Sequence, residues 1–161
     1  MVAHKPSRYG GFTLIELMIT VVLMGVLAGL AVPSFRSLIA VQRIKNASFD
    51  LFSALNYARS EAIKSNGNIS LRAGSATGTN TWSTGWRVDD GTNILRSWTV
   101  NSNVAVAEAS SATVITFSRD GRLTTTPKIE FASSATLSGV NPRCVQVDLS
   151  GRPNTQSGAC P

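Results

Sequence analysis

Residues 12–32 read FTLIELMITVVLMGVLAGLAV, an apolar run broken by a single charge, Glu16. As a helix it is about 30 Å long, close to the hydrocarbon thickness of a bilayer. A helix apolar on every side has no face to offer water, so lipid or other helices must cover it. A carboxylate in such a run costs about 2 to 3 kcal/mol or more to insert. Glu16 therefore requires a counter-charge, or else snorkels to the interface or is protonated in place. Lys5 and Arg8 precede the run with no acid beside them, which predicts a cytoplasmic N-terminus and a translocated remainder.

The order of the parts is informative. A secretory signal places its small-residue cleavage site after the apolar stretch, whereas here Gly10-Gly11 comes before it. Cleavage after Gly11 leaves the helix on the mature chain as an anchor. It also creates an α-amino group on Phe12, about one helical turn from Glu16. On a neighbouring subunit that amine is a natural partner for the carboxylate.

Charge and rare residues exclude several chemistries. The chain carries 15 basic and 9 acidic residues, and its formal net charge is +6. A mild basic excess suits anionic lipid or nucleic acid without demanding either. The single histidine, His4, lies in the leader. A mature chain without histidine has no Ser-His-Asp or Cys-His mechanism and no ordinary metal-ligand cluster. No cofactor motif is present, and an enzyme is not expected. Cys144 and Cys160 lack redox or zinc-knuckle spacing, so they read as a disulfide closing the tail, in an oxidising compartment.

Beyond the anchor, Ile44, Ala47, Leu51, Leu55, Ala58 and Ala62 recur at steps of three and four. That spacing predicts an amphipathic helix to about Ser65, with Arg43, Lys45, Asp50, Arg59 and Lys64 pointing elsewhere. Pro33 is expected to kink or loosen this helix, and Asn66-Gly67 to end it with the glycine in the left-handed position. Strand-like runs follow at 69–73, 85–88, 94–100, 104–107, 114–118, 128–132 and 144–149. Asp89-Asp90-Gly91 reads as a hairpin turn rather than a metal site. Residues 74–83, GSATGTNTWS, read as a loop. Trp86 and Trp98 are expected in the core; Trp82, in the loop, is a candidate for either core or stacking.

The hexapeptide Gly11-Phe12-Thr13-Leu14-Ile15-Glu16 resembles the type III signal of type IV prepilins and of the pseudopilins of type II secretion. The resemblance implies that a prepilin peptidase cuts after Gly11 and methylates Phe12. It also implies that Glu16 serves subunit docking and that Pro33 matches the family's helix-bending proline. LNYARSEAIK at 55–64, ITFSRDGRL at 115–123, VQVDLSGR at 145–152 and the closing Gly158-Ala159-Cys160-Pro161 resemble minor pilins of the FimT/FimU type and the H-type pseudopilin (GspH).

The implied fold is α+β: a long N-terminal helix, transmembrane in its first half and amphipathic in its second, packed on a C-terminal antiparallel β-sheet or sandwich. Its parts are a leader (1–11), a transmembrane helix (12–33), an amphipathic helix (34–66) and a β-rich head (67–161). The implied role is a minor pilin in assembly or at the tip of a type IV pilus, or alternatively an H-type pseudopilin of type II secretion. The chain would sit in the bacterial inner membrane with a periplasmic head and enter a pilus or pseudopilus, its partners being other pilins and prepilin peptidase.

Two Gly-Arg pairs, Gly121-Arg122 and Gly151-Arg152, follow strand-like runs. Glycine there serves a turn. The arginines, with Arg119 and Arg143, are candidates for a cationic patch gripping phosphate through bidentate hydrogen bonds. Some FimT-like pilins share a C-terminal GRxR motif that contacts DNA. Here the stretch is Gly151-Arg152-Pro153-Asn154, with Asn154 in place of the second arginine. The resemblance thus points to Arg152 for binding of double-stranded DNA, without sequence preference and weakened by salt.

Overall fold

The computed structural model describes residues 11–75, 80–109 and 112–161, apart from the side chains of Ala31 and Pro33. The rest of the expected leader, part of the 74–83 loop and the Pro33 ring lie outside the described residues. The chain divides into two compact units between Arg36 and Ser37, and each is described separately.

A single helix, α1 (Leu14–Ser65), contributes to both units. Thr13 caps its start: the Glu16 amide donates to Thr13 Oγ1 at 3.3 Å. This satisfies one of the amide donors that every helix N-terminus leaves over. In the first unit the apolar side chains face outward all round: Leu14, Ile19, Met24 and Leu30 are each more than half exposed. The apolar window has a mean hydropathy of 2.4 and none of it is buried.

The second unit packs the remainder of α1 on two antiparallel sheets. The strands are β1 (Ile69–Ala73), β2 (Gly85–Asp89), β3 (Ile94–Thr99), β4 (Val104–Glu108), β5 (Val114–Phe117), β6 (Lys128–Ser133), β7 (Arg143–Val147) and β8 (Pro153–Ser157). One sheet runs β3-β2-β1-β5 and the other β4-β6-β7-β8. Alternation sets which residues face inward. Leu71 pairs with Val88 and Ile115 in the first sheet, and Ile129 with Val145 in the second. The α1 stripe read from the sequence, Ile44 through Ala62, joins these residues in one buried cluster. Trp86 and Phe131, one from each sheet, meet edge to face with centroids 6.0 Å apart. This geometry favours the aromatic quadrupoles.

Several expectations need correction. The left-handed position after α1 belongs to Asn66, with φ of 51°, and not to Gly67. Gly67 instead donates its amide to the Ala62 carbonyl at 3.2 Å, closing a Schellman-type end. The strand expected at 144–149 is Arg143–Val147, and Leu149 is exposed in a turn. The Pro153–Ser157 strand was not expected at all. It is an edge strand whose first residue is proline, where a missing N–H is harmless. Trp82 is buried and donates Nε1–H to the Ala112 carbonyl at 2.8 Å, while Trp98 is only partly buried. Asp89 is more than a turn residue: it is buried and accepts from Arg72 Nε at 2.9 Å.

Candidate functional site

Two regions carry the candidate residues. At the N-terminus, Gly11, Phe12 and Glu16 are exposed, and Phe12 is 85% accessible. Thr13 and Glu16 stand at the first and fourth positions of a capping-box spacing, which holds the carboxylate in the first helical turn. Acids there are favoured by the helix dipole. Glu16 makes no ion pair among the described residues, so a positive group brought from outside meets an uncommitted carboxylate.

The second region is built from two copies of the same turn. Between Ser118 and Arg122, the Ser118 amide donates to the Arg122 carbonyl at 3.0 Å and the Gly121 amide to the Ser118 carbonyl at 2.7 Å. Between Asp148 and Arg152, the corresponding bonds are 3.3 Å and 2.9 Å. Both glycines sit at positive φ, 72° and 76°, as the last position of a three-residue hairpin loop requires. The turns touch: a Cβ on Gly151 would lie 1.9 Å from the Gly121 carbonyl oxygen. The Leu123 amide also donates to the Leu149 carbonyl at 3.2 Å. Thus the backbones of the two Gly-Arg pairs, far apart in sequence, meet.

Each turn neutralises part of its own charge. Arg122 Nε lies 3.7 Å from Asp120 Oδ2, in a pair that is largely exposed. The Ser118 hydroxyl, which donates to it, holds the Asp120 carboxyl below its usual range, with smaller help from Arg122. The Ser150 hydroxyl does the same for Asp148, followed by the Arg152 amide and the Arg152 charge. Arg152 lines an open cleft of about 360 Å³ with Lys128, Gln146 and Asn154. Asn154 faces Gln146 across the β7–β8 ladder. Lys128 reaches the Pro161 backbone oxygen at 2.7 Å and Glu130 accepts the Cys160 amide at 2.9 Å, so the tail is tied to this sheet. The Cys144–Cys160 disulfide is formed, with Cα atoms 5.0 Å apart.

The four candidate arginines do not form one patch. Arg122 and Arg152 are exposed on the touching turns, and Arg119 is exposed beside Asp120 on the first of them. Arg143 is elsewhere, because it pairs with Ser157 at the opposite end of the β7–β8 ladder from Val147 and Pro153. Arg59, expected off the apolar stripe of α1, lies across the turns. Its Cγ is 3.2 Å from a Cβ built on Gly121, and its Nε 3.4 Å from one built on Gly151. The 3.6-residue period places Arg59 on a flank, and nothing local in the sequence reveals what that flank meets.

Comparison with known proteins gives two family matches. Residues 47–151 match the family described as type II transport protein GspH. Residues 6–32 match the prokaryotic N-terminal methylation motif. No curated protein matches the chain. Among solved structures, the chain is similar to the type IV minor pilin FimU of Pseudomonas aeruginosa in two crystal forms. In space group P21 the TM-score is 0.60 at 22% identity, covering 71% of this chain and 89% of that one. In space group P65 it is 0.58 at 24% identity, covering 70% and 91%. At these identities the likeness is one of fold.

Proposed function

The chain belongs to the family of the type II transport protein GspH, and on that premise we propose that it is a minor pilin, a structural subunit of a type IV pilus-like filament. The observation that carries this reading is the first unit: an apolar helix exposed on every side, begun by a capped Glu16 and covered by an N-terminal methylation motif. Prepilin peptidase cuts after Gly11 and methylates Phe12. The processed helix holds the chain in the bacterial inner membrane, and the β-rich unit, with its disulfide, faces the oxidising periplasm. During assembly Glu16 pairs with the Phe12 amine of a neighbouring pilin while the apolar helices cover one another.

A second reading, an H-type pseudopilin, is favoured by the description of the matched family. Deleting the gene and scoring surface filaments beside secreted protein separates the two. Loss of filaments with normal secretion is the expected result, and the converse assigns the chain to secretion.

Binding of double-stranded DNA is supported by the contact between the two Gly-Arg turns. Because Asp120 and Asp148 sit on the same turns, the attraction is modest, and being electrostatic it is weakened by salt. A mobility shift at low salt that Arg152→Ala weakens is expected, and no shift at low salt removes the reading.

A further inference from the structure

Arg152 belongs to two surfaces at once. It is exposed on the second Gly-Arg turn, and it also lines the open cleft of about 360 Å³ that Lys128 and Asn154 share. Strand register builds the floor of that cleft. Lys128 on β6 is opposite Gln146 on β7, and Gln146 is opposite Asn154 on β8. Residues paired in this way project from the same face of a sheet. Ile129, Val145 and Val147 are buried on the other face, so the row of Lys128, Gln146 and Asn154 is turned outward. Neighbouring strands are about 4.8 Å apart, which puts Lys128 and Asn154 roughly 10 Å from each other across the row.

The row is rich in donors. An ammonium has three N–H groups, and Lys128 gives one of them to the Pro161 oxygen at 2.7 Å. Asp148 is the one acid among the residues lining the cleft. Its Oδ1 accepts from the Ser150 hydroxyl at 2.6 Å and from the Arg152 amide at 2.9 Å. Glu130, the next outward residue of β6, accepts the Cys160 amide at 2.9 Å. Two cations therefore face one acid across the cleft, with the amides of Gln146 and Asn154 between them. Cations spaced by neutral donors suit a sugar-phosphate backbone, whose contacts are mostly to phosphate oxygens. Asn154 stands where a GRxR stretch has its second arginine, and the register brings a lysine into the same row.

We propose that Lys128 supplies the second phosphate-binding cation of the DNA surface, Arg152 being the first, and that the DNA backbone crosses the row between them. The proposal rests on the DNA reading and adds to it a residue two strands away from the Gly-Arg turn.

The test titrates a short labelled duplex with the full chain in nonionic detergent, by fluorescence anisotropy at several salt concentrations. Lys128→Gln removes the charge and retains a donor for the Pro161 oxygen. It is expected to weaken binding about threefold, as loss of one exposed ionic contact does. The slope of log affinity against log salt is expected to fall by about 0.9. Lys45→Gln makes the same change of charge in the cleft beside Arg143 and Ser157, and is expected to leave the slope unchanged. Asn154→Arg, added to Lys128→Gln, is expected to restore both affinity and slope, because residue 154 shares the row. A wild-type chain that does not bind at low salt removes the DNA reading and this proposal with it. Binding that Arg152→Ala weakens and Lys128→Gln does not overturns the role of Lys128 alone. An equal loss with Lys45→Gln, or no restoration by Asn154→Arg, overturns it as well.

Discussion

Replacing Gly151 by alanine would place a methyl group where the two Gly-Arg turns meet. Gly151 has φ of 76°, and the added Cβ would lie 1.9 Å from the Gly121 carbonyl oxygen and 3.4 Å from Arg59 Nε. Two costs follow. The left-handed backbone costs about 1 to 2 kcal/mol for any L side chain. The overlap with a backbone oxygen cannot be relieved by a rotamer change, so the turns must part, at about a further 1 to 3 kcal/mol. Gly139 isolates the first cost: its φ is 76° as well, but nothing lies within 4 Å of its Cβ position. Chemical denaturation of the full chain in nonionic detergent, followed by tryptophan fluorescence from the buried Trp86, measures both variants. Gly151→Ala is expected to lose about 2 to 5 kcal/mol, and Gly139→Ala only about 1 to 2. Equal losses would refute the reasoning, because they would mean that the turns do not bear on each other.

Two further outcomes follow from the same unit. Removing the disulfide with the double variant Cys144→Ala/Cys160→Ala is expected to cost about 3 kcal/mol in the same assay, from the loop it closes; an unchanged midpoint would contradict this. The Asp148 carboxyl, lowered by the Ser150 hydroxyl and the Arg152 amide, is expected to titrate below the ordinary 3.8 by carbon NMR. Its contribution to stability is then full above 3.8 and lost as pH falls through the lower folded value. Ser150→Ala should move the titration back toward 3.8, and a wild-type titration at or above 3.8 would contradict the turn geometry.

Much of the fold was legible because its signals are local and periodic. The α1 stripe from Ile44 to Ala62 is buried as its spacing indicates. The cysteines are paired, and the hairpin at Asp89–Gly91 joins β2 to β3. What the sequence hid depends on contacts between distant residues. The PNTQS strand is polar and begins with proline, so it carries no strand signal; only pairing with β7 makes it one. The Gly-Arg pairs were visible as turns, yet their mutual contact, and the arginine of α1 laid across them, belong to the packing of three segments. Arg143 stands apart from the Gly-Arg turns for the same reason. Its neighbours in sequence suggest a tail patch, whereas strand register carries it to the far end of the hairpin, against Phe49.

The central claim is that Glu16 is half of an intersubunit pair on a processed helix. Glu16→Ala is the direct test, with sheared filaments and membranes analysed separately by mass spectrometry. The variant is expected to begin at methylated Phe12 in the membrane fraction, since Gly11 is untouched, and to be missing from the filaments. Its recovery from filaments at the wild-type amount would contradict the account.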